Sequence, residues 1–266
     1  MLHVVNSEEV IQKISFQGGK RVKIGAFTDK GKTREVNEDN FFVSDFNDET
    51  GVGFCIIADG MGGHNAGEVA SKIAIDEIRS YIKEFYNDDM TDQEIIKMLQ
   101  ESMKKANTVI YNKALEDEAY AGMGTTAILC FIHHSHLYIA HVGDSRAYLI
   151  RGNNMKQITT DHSIVEELIN SGSITRKEAE NHPQKNVITR ALGGDKDTKI
   201  DIYIQEYMHN DNVLICTDGL TNMLTNMEIL SEINSCDNLQ MVVEKLISLA
   251  NDKGGLDNIT VVLLSL

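Results

Sequence analysis

Acidic residues beside strand-like runs are the part of this sequence whose types and spacing could do chemistry. Three of four such points directly precede or follow apolar runs, which would place carboxylates at the rim of a sheet. Carboxylate oxygens are the ligands that Mg²⁺ and Mn²⁺ prefer, and two such ions about 4 Å apart can activate a water and hold the oxygens of an in-line displacement. The pattern therefore indicates a two-metal site. The four points are Asn37-Glu38-Asp39, Asp59-Gly60, Asp218-Gly219 and Asp257-Asn258.

Each of these points alone also fits an ordinary turn, because Asp-Gly is a common turn dipeptide and Asp is mostly a surface residue. The repetition of glycines and strand flanks along the chain favours the metal interpretation. Arg34 lies four residues before Glu38, and its planar fork can bind a phosphate bidentately. After Asp59 comes the run Gly60-Met61-Gly62-Gly63-His64, whose glycines let the backbone approach a ligand closely.

These motifs follow the order found in a known family. The chain resembles the metal-dependent protein serine/threonine phosphatases of type 2C (the PPM family), in their compact bacterial form. The resemblance spans residues 24–266, nearly the whole chain, so it is far more specific than a lone Asp-Gly. It rests on Arg34 to Asp39, Ala58 to His64, Gly124-Thr125-Thr126, Gly143 to Arg146, Asp161-His162-Ser163, Thr189 to Gly193, Thr217 to Leu220 and Asp257 to Thr260.

The resemblance implies a role for each acidic residue, beginning with the core of the site. Asp59 would bridge two metal ions, because a carboxylate has an oxygen for each. The backbone carbonyl of Gly60 would bind one of these ions. Asp218 and Asp257 would together hold one ion.

The remaining acidic residues have implied roles with open alternatives. Glu38 would lie near the second ion, and Asp39 would support it through water or would instead cap a turn. Asp144 matches a position that, with Asp218, binds a third and looser ion in bacterial members. The alternative for Asp144 is a hydrogen bond to Arg146 within a tight turn.

Substrate binding and proton transfer involve basic residues. By resemblance Arg34 holds the substrate phosphate, whereas the alternative is a surface salt bridge with Glu35 or Glu38 that would be worth little. Some family members carry a His directly after the Asp-Gly, but here that residue is Met61, which transfers no proton. We expect His64 to protonate the leaving oxygen directly or through water, or else only to order the glycine loop. His162 is a second candidate, acting from the flap side.

Composition restricts the class of protein. The chain has 266 residues, 42% hydrophobic and 24% charged, which suits one domain over 1–266 with an extension at 1–20 of unclear role. The sequence shows no apolar run of the roughly 18 residues that a membrane span needs and no secretory signal at its start, so we expect a cytoplasmic protein. A net charge of −15 repels polyanions, which argues against nucleic acid as a partner.

The four cysteines do not indicate a thiol mechanism. Cys55, Cys130 and Cys216 lie in apolar runs and are expected to be small buried hydrophobic residues. None of the cysteines is followed by five residues and then Arg, the phosphate-loop arrangement of thiol-based phosphatases. A covalent phosphocysteine intermediate therefore has no visible nucleophile.

Strands in hairpins and helices in pairs favour an α+β layout. Helical spacing predicts helices over 66–86, 92–117 and 238–251, and Thr91, Thr175 and Thr225 each precede a Glu by three residues, the capping-box signature. Runs rich in Ile, Val, Phe and Tyr predict strands. These runs cover 21–27, 40–45, 52–58, 124–132, 136–142, 146–151, 200–206, 212–217 and 258–265.

The resemblance refines this layout to a four-layer αββα sandwich of two antiparallel sheets flanked by helix pairs. The metals would occupy a cleft at one edge between the sheets. Residues 162–192 are polar and lie between two motif blocks. We expect them to form a flap beside the cleft, rather than an ordinary surface excursion.

The sequence thus predicts a phosphoprotein phosphatase that hydrolyses phosphoserine and phosphothreonine with a water activated by two Mn²⁺ or Mg²⁺ ions, and with a possible third ion. The expected partners are phosphorylated substrates of serine/threonine kinases, and the expected state is a monomer. A two-metal nuclease is disfavoured by the charge of −15. A binding-only relative should have lost ligands, but Asp59, Asp218 and Asp257 are in place. A phosphatase for a small phosphoester stays open.

Overall fold

Two antiparallel sheets pack face to face at the centre of the protein, and helices cover the outer face of each. The computed structural model describes residues 22–47, 52–63 and 66–266. The strands are β1 Lys23–Asp29, β2 Asp39–Val43, β3 Gly53–Met61, β4 Gly124–Thr125, β5 Ala127–His133, β6 His136–Val142, β7 Arg146–Arg151, β8 Asn154–Gln157, β9 Asp201–Glu206, β10 Asn212–Cys216 and β11 Ile259–Ser265. The helices are α1 Ala66–Phe85, α2 Asp92–Glu116, α3 Ile164–Asn170, α4 Arg176–Ala179, α5 Asp218–Thr221, α6 Asn226–Ile233 and α7 Leu239–Asp252.

The order of strands places the ends that carry acidic residues at one edge of the sandwich. One sheet runs β1-β11-β10-β7-β8, and the other runs β2-β3-β5-β6-β9 with β4 paired to β3. Because every neighbour is antiparallel, the end of β3 lies beside the start of β2, and the end of β10 lies beside the start of β11. The predicted αββα sandwich is confirmed.

Alternation of side chains along the central strands builds three layers of core. In β3, Ile56 packs with α1 and α2, whereas Ile57 points between the sheets. In β10, Leu214 packs with α6 and α7, whereas Ile215 points between the sheets. Since successive residues of a strand face opposite sides, a slip of one residue would exchange these two cores. The register of the sheets is therefore strongly specified.

Helix starts follow the capping residues that the sequence indicates. Thr91, Thr175 and Thr225 are N-caps with complete capping boxes, which begin α2, α4 and α6. Reciprocal bonds of this kind satisfy two backbone N–H groups that the helix itself leaves without partners. The long helices end within one residue of their predicted ends.

Among the described residues, four short elements were not foreseen from the sequence, namely β8, α3, α5 and a 3₁₀ helix at Glu118–Tyr120. The β8 strand is polar and pairs only with β7 through a turn at Gly152, whose φ is +55°. The α3 helix, capped by Ser163, and the α4 helix lie within the flap segment, our name for residues 162–192. Short elements held by their neighbours carry too little periodicity to be recognised.

Among the described residues, no helix is long and apolar enough to cross a membrane.

The single-domain assignment over 1–266 stays a prediction, and the extension at 1–20 lies outside the described residues.

Shortening a side chain between the sheets should destabilise the fold. We expect Ile215→Ala to lower the free energy of unfolding by about 2–5 kcal/mol, because it leaves a cavity at a fully buried position. Urea denaturation measures this change. The control is Met227→Ala, whose side chain is 81% exposed and whose loss should stay within about 0.5 kcal/mol. Equal effects of the two substitutions would contradict the assigned core.

Candidate functional site

The register of β2 and β3 sets two carboxylates side by side at the edge of the sandwich. Asp39 is paired directly with Asp59 across these antiparallel strands. Residues on one face of such a pair lie with Cβ atoms about 4.5–5.5 Å apart, so like charges there repel each other. The arrangement therefore requires compensation by hydrogen bonds or by a cation.

Asp39 connects the two sheets. Its Oδ2 atom accepts hydrogen bonds from Thr217 Oγ1 at 3.0 Å, directly after β10, and from Thr260 Oγ1 at 2.6 Å, within β11 of the opposite sheet. Its Oδ1 atom is buried without a hydrogen-bond partner among the described residues. Burial raises the pKa of Asp39 to about 7 against the two hydroxyl bonds, and the charges of Asp218 and Asp257 add to the rise. One oxygen of Asp39 is thus left for a ligand.

Asp59 lies at the centre of the acidic group. Its backbone is fixed on Thr126, which accepts from Asp59 N at 3.1 Å and donates its own N–H to Asp59 O at 2.8 Å. Burial raises the pKa of Asp59 well above its ordinary value, and the charges of Asp39, Asp218 and Asp144 raise it further. Four carboxylates from separate parts of the chain are therefore close enough to oppose one another's ionisation.

Asp218 and Asp144 come from the turns at the same edge. Asp218 begins α5 directly after β10 and accepts from Asn222 Nδ2 at 2.9 Å. Burial, followed by the charge of Asp257, raises its pKa to about 6. Asp144 lies in the turn between β6 and β7, and burial together with the charge of Asp218 raises its pKa to about 7.

Arg146, the alternative hydrogen-bond partner considered for Asp144, is bound to a different carboxylate. Its guanidinium donates to Asp161, with Nε 2.9 Å and Nη2 2.7 Å from Oδ2. The guanidinium is therefore bound by Asp161, and the alternative role of Asp144, a tight-turn hydrogen bond to Arg146, does not account for its position. The charge of Arg146 still lowers the pKa of Asp144, against the larger effect of burial.

Arg34 lies at the outer rim of the acidic group. Its Nη2 atom donates to Asp257 Oδ2 at 2.9 Å, and 49% of the Arg34 side chain is exposed. The alternative pairing with Glu35 or Glu38 is thus replaced by a pairing with Asp257. A half-exposed pair of this kind contributes little stability, so Arg34 is free to exchange partners.

Glu38 and Gly60 meet at the start of α1. Glu38 Oε1 accepts from Gly67 N at 3.2 Å, and burial raises the pKa of Glu38 against that bond. Gly60 N donates to Glu38 O at 3.2 Å. A Cβ atom on Gly60 would lie 2.1 Å from Gly67 O, so only glycine allows this close approach.

Asn258 is a supporting residue whose role the sequence did not reveal. Its Oδ1 accepts from Glu38 N at 2.8 Å, while its Nδ2 donates to the carbonyls of Lys30 and Val36 at 2.9 and 3.0 Å. It therefore holds the loop that carries Arg34 and Glu38 against the loop of Asp257. The only signal was its place beside an acidic residue at a strand start.

The two histidine candidates are placed differently. His64 lies outside the described residues. His162 is buried and bound to the turn that carries Asp144, since its Nδ1 accepts from Gly143 N at 3.0 Å. A ring held in this way is oriented by its neighbours and is not open to solvent.

The donor set suits hard divalent cations. Among the described residues no three His, Cys, Asp or Glu side chains form a ready-made metal cage. The carboxylates nevertheless raise one another's pKa, and Asp39 keeps a free buried oxygen. Mg²⁺ and Mn²⁺ take oxygen ligands and commonly keep several waters, which would complete a shell that the protein supplies only in part. The residues present therefore fit such ions.

Removing one charge from this group should stabilise the metal-free protein. At pH 7.5 we expect Asp59→Asn to raise the free energy of unfolding by about 1 kcal/mol, hence the Tm by about 2–4 °C, because it removes the desolvation cost of a partly buried charge and its repulsion from neighbouring carboxylates. Thermal unfolding in a chelator measures the shift. Asp45→Asn removes the same charge from an exposed position and should leave the Tm unchanged. An unchanged or lower Tm in Asp59→Asn would refute the repulsion.

The gain in thermal stability from Asp59→Asn should also depend on pH. A folded-state pKa raised above the unfolded value means that wild-type stability falls as pH rises through that range. At low pH Asp59 is already neutral and resembles Asn. The difference in Tm between variant and wild type should therefore be smallest near pH 4, about the pKa of Asp in the unfolded chain, and should grow towards pH 8, while histidine contributions cancel in the comparison. A difference that shrinks with pH would contradict the raised pKa.

Known proteins resemble this chain over most of its length. The serine/threonine phosphatase stp of Listeria innocua is 40% identical over 236 residues, which cover 89% of this chain and 92% of that protein. The crystal structure of the serine/threonine phosphatase Stp1 from Staphylococcus aureus matches with a TM-score of 0.86 and 35% identity, covering 96% of this chain and 99% of that chain. The catalytic domain of the phosphatase PstP, in complex with two manganese ions, matches with a TM-score of 0.79 and 31% identity, covering 92% of this chain and 97% of that chain.

The model of the family described as protein phosphatase 2C matches residues 29–257, and this range contains every acidic residue of the site. The chain therefore belongs to the protein phosphatase 2C family.

Proposed function

We propose that the protein hydrolyses phosphoserine and phosphothreonine in protein substrates, using two divalent cations held by the acidic group and no covalent intermediate. The observation that carries this proposal is the convergence of partly buried carboxylates from both sheets, which repel one another, beside the half-exposed Arg34. Such a group costs stability, and bound cations would offset that cost. The family and the PstP neighbour with two manganese ions support it.

The proposed ligands for the two ions are those that the family resemblance implies, and the positions of their side chains are compatible with them. Asp59, at the centre of the group, would bridge both ions, and the Gly60 carbonyl would add a ligand to one. Asp218 and Asp257 would hold one ion between them. Glu38 would lie near the other.

Asp39 and Asp144 would complete the binding of cations. Asp39 would support the site through water from its free Oδ1 atom, which nothing else satisfies among the described residues. Asp144, with Asp218, would bind a third ion. The ions would be Mn²⁺ or Mg²⁺, which share this preference for oxygen ligands.

When bound, ions at such a site supply an activated water for in-line attack on phosphorus and neutralise the phosphoryl oxygens. Arg34 would bind the substrate phosphate through its fork of N–H donors. It would first have to leave Asp257, and the solvent exposure of that ion pair allows this exchange. His64 is the candidate donor of a proton to the leaving Ser or Thr oxygen. His162, the second candidate, is buried and accepts a hydrogen bond from Gly143 N, which does not favour the donor role.

The cysteines fit the absence of a covalent intermediate. Cys55, Cys130 and Cys216 are fully buried. A hydrogen bond with Cys130 and burial raise the pKa of Cys55 well above its ordinary value, and burial raises that of Cys216 to about 12. Thiols in this state are poor nucleophiles, because the thiolate is the reactive form.

The expected substrates are proteins phosphorylated by serine/threonine kinases. The protein is expected to act as a monomer in the cytoplasm. The relatives' names as serine/threonine phosphatases support this class of substrate. A net charge of −15 disfavours nucleic acid, and a membrane partner is not expected.

Phosphate release from a phosphothreonine peptide tests the proposal. We expect release with Mn²⁺ and none with excess EDTA. Because loss of an outer partner of a metal ligand already costs about 10–100-fold, Asp218→Ala should reduce release by more than about 100-fold. Asp45→Ala, at an exposed position away from the site, is the matched control.

The outcomes separate the alternatives. Normal release by folded Asp218→Ala would remove the proposed ligand set. Protein that binds Mn²⁺ but releases no phosphate from any peptide would point to a binding-only relative, and release only from small phosphoesters would replace the substrate class.

A further inference from the structure

His162 is held on both sides of its ring. On one side Gly143 N donates to Nδ1 at 3.0 Å. On the other side Nε2 lies 3.0 Å from Asp201 Oδ2 and 3.1 Å from Arg190 Nη1, which itself donates to the same Asp201 oxygen at 3.2 Å. Because Nδ1 accepts a hydrogen bond, the ring proton lies on Nε2 and is donated to Asp201. The contacts thus select one neutral tautomer.

The contacts of Asp201 keep its carboxylate ionised, so that it accepts the hydrogen bond from His162 Nε2. Burial alone would raise the pKa of Asp201, but hydrogen bonds from Lys199 and His162 and the charge of Arg190 outweigh it and lower the pKa to about 2. Lys199 Nζ lies 3.0 Å from Oδ1, and Arg190 Nη1 lies 3.2 Å from Oδ2. The carboxylate is therefore ionised and can only accept.

The same histidine grips the turn that carries Asp144 through its backbone. His162 N donates to Gly143 O at 2.8 Å, so the two residues exchange hydrogen bonds in both directions. Gly143 has a φ of +112°, and a Cβ there would lie 2.5 Å from Thr126 Cβ. The turn is thus closed between His162 on one side and Thr126 on the other.

Thr126 continues this connection to the centre of the acidic group. Its Oγ1 lies 2.9 Å from Ser145 Oγ and accepts from Asp59 N at 3.1 Å. A contiguous set of contacts therefore runs from His162 through the turn of Gly143 and Ser145 to Asp59.

His162 also joins the two ends of the flap segment. Thr189 N donates to His162 O at 2.8 Å, and Ile164 N donates to Val187 O at 3.0 Å. The segment therefore leaves and rejoins the domain at one point. Its base and the Asp144 turn share the same histidine.

We propose that His162, oriented by Asp201, is a positioning residue that fixes the Gly143–Asp144 turn for cation binding and anchors the base of the flap segment to that turn. This inference rests on the proposed function, because it assigns the turn to a cation. It also replaces proton donation by His162, since its one ring proton is held by Asp201.

Two substitutions at His162 test the proposal. His162→Ala removes the acceptor for Gly143 N, whereas His162→Asn keeps one, because the amide Oδ1 can accept in place of Nδ1. Isothermal titration with Mn²⁺ measures cation affinity, and hydrogen exchange of the metal-free protein measures protection of residues 143–146 and 163–190. Neither readout requires turnover. Thermal unfolding confirms that both variants are folded.

In His162→Ala we expect the weaker Mn²⁺ site, the third ion assigned to Asp144 and Asp218, to lose about 10-fold in affinity, as for loss of an outer partner of a metal ligand. The affinity of the two tighter sites should not change. Exchange should rise in both segments. His162→Asn should restore affinity and protection to near wild type. Unchanged Mn²⁺ binding and exchange in folded His162→Ala would overturn the proposal, as would equal losses in both variants. If wild type binds Mn²⁺ in this way but releases no phosphate, the proposed function fails while the positioning role stands.

Discussion

Repulsion among partly buried carboxylates is the constraint on which the rest of this structure depends. Burial raises the pKa of Asp59, and the charges of Asp39, Asp144 and Asp218 at the edge of the sandwich raise it further. The charge of Asp218 also adds to the effect of burial on the pKa of Asp39 and of Asp144. Like charges in a poorly solvated place cost free energy, so the fold must hold them by contacts made elsewhere. Proteins that concentrate function in this way give up stability at the site.

The sandwich provides those contacts at its edge. Hydroxyl groups of Thr217 and Thr260 bind Asp39 across the two sheets, and Thr126 fixes the backbone of Asp59. The strands beneath are buried on both faces, so their register is set by two cores at once. The acidic side chains therefore keep their places although they repel, because moving them would disturb packed strands.

A second polar layer lies behind the acidic group, and it joins the flap segment to the domain. Asp161 binds Arg146 at the start of β7, and His162 binds both Gly143 and Asp201. In each of these pairs both polar groups have a hydrogen-bond partner, as is usual for buried polar groups. Consecutive residues of one short motif thus support two different strands beside the site. A polar run at the start of a loop here acts as structural support for the chemistry.

Sequence alone determined the parts that depend on neighbours along the chain. The long helices followed from periodicity and capping boxes at Thr91, Thr175 and Thr225, and the ligand candidates followed from carboxylates at strand ends. Only the tertiary structure decided that Asp39 meets Thr260, 221 residues away, that Arg34 pairs with Asp257, that Arg146 serves Asp161, and that His162 orients a turn. Local propensity carries no information on contacts at such separations, because they arise when two sheets pack and bring distant turns to one edge.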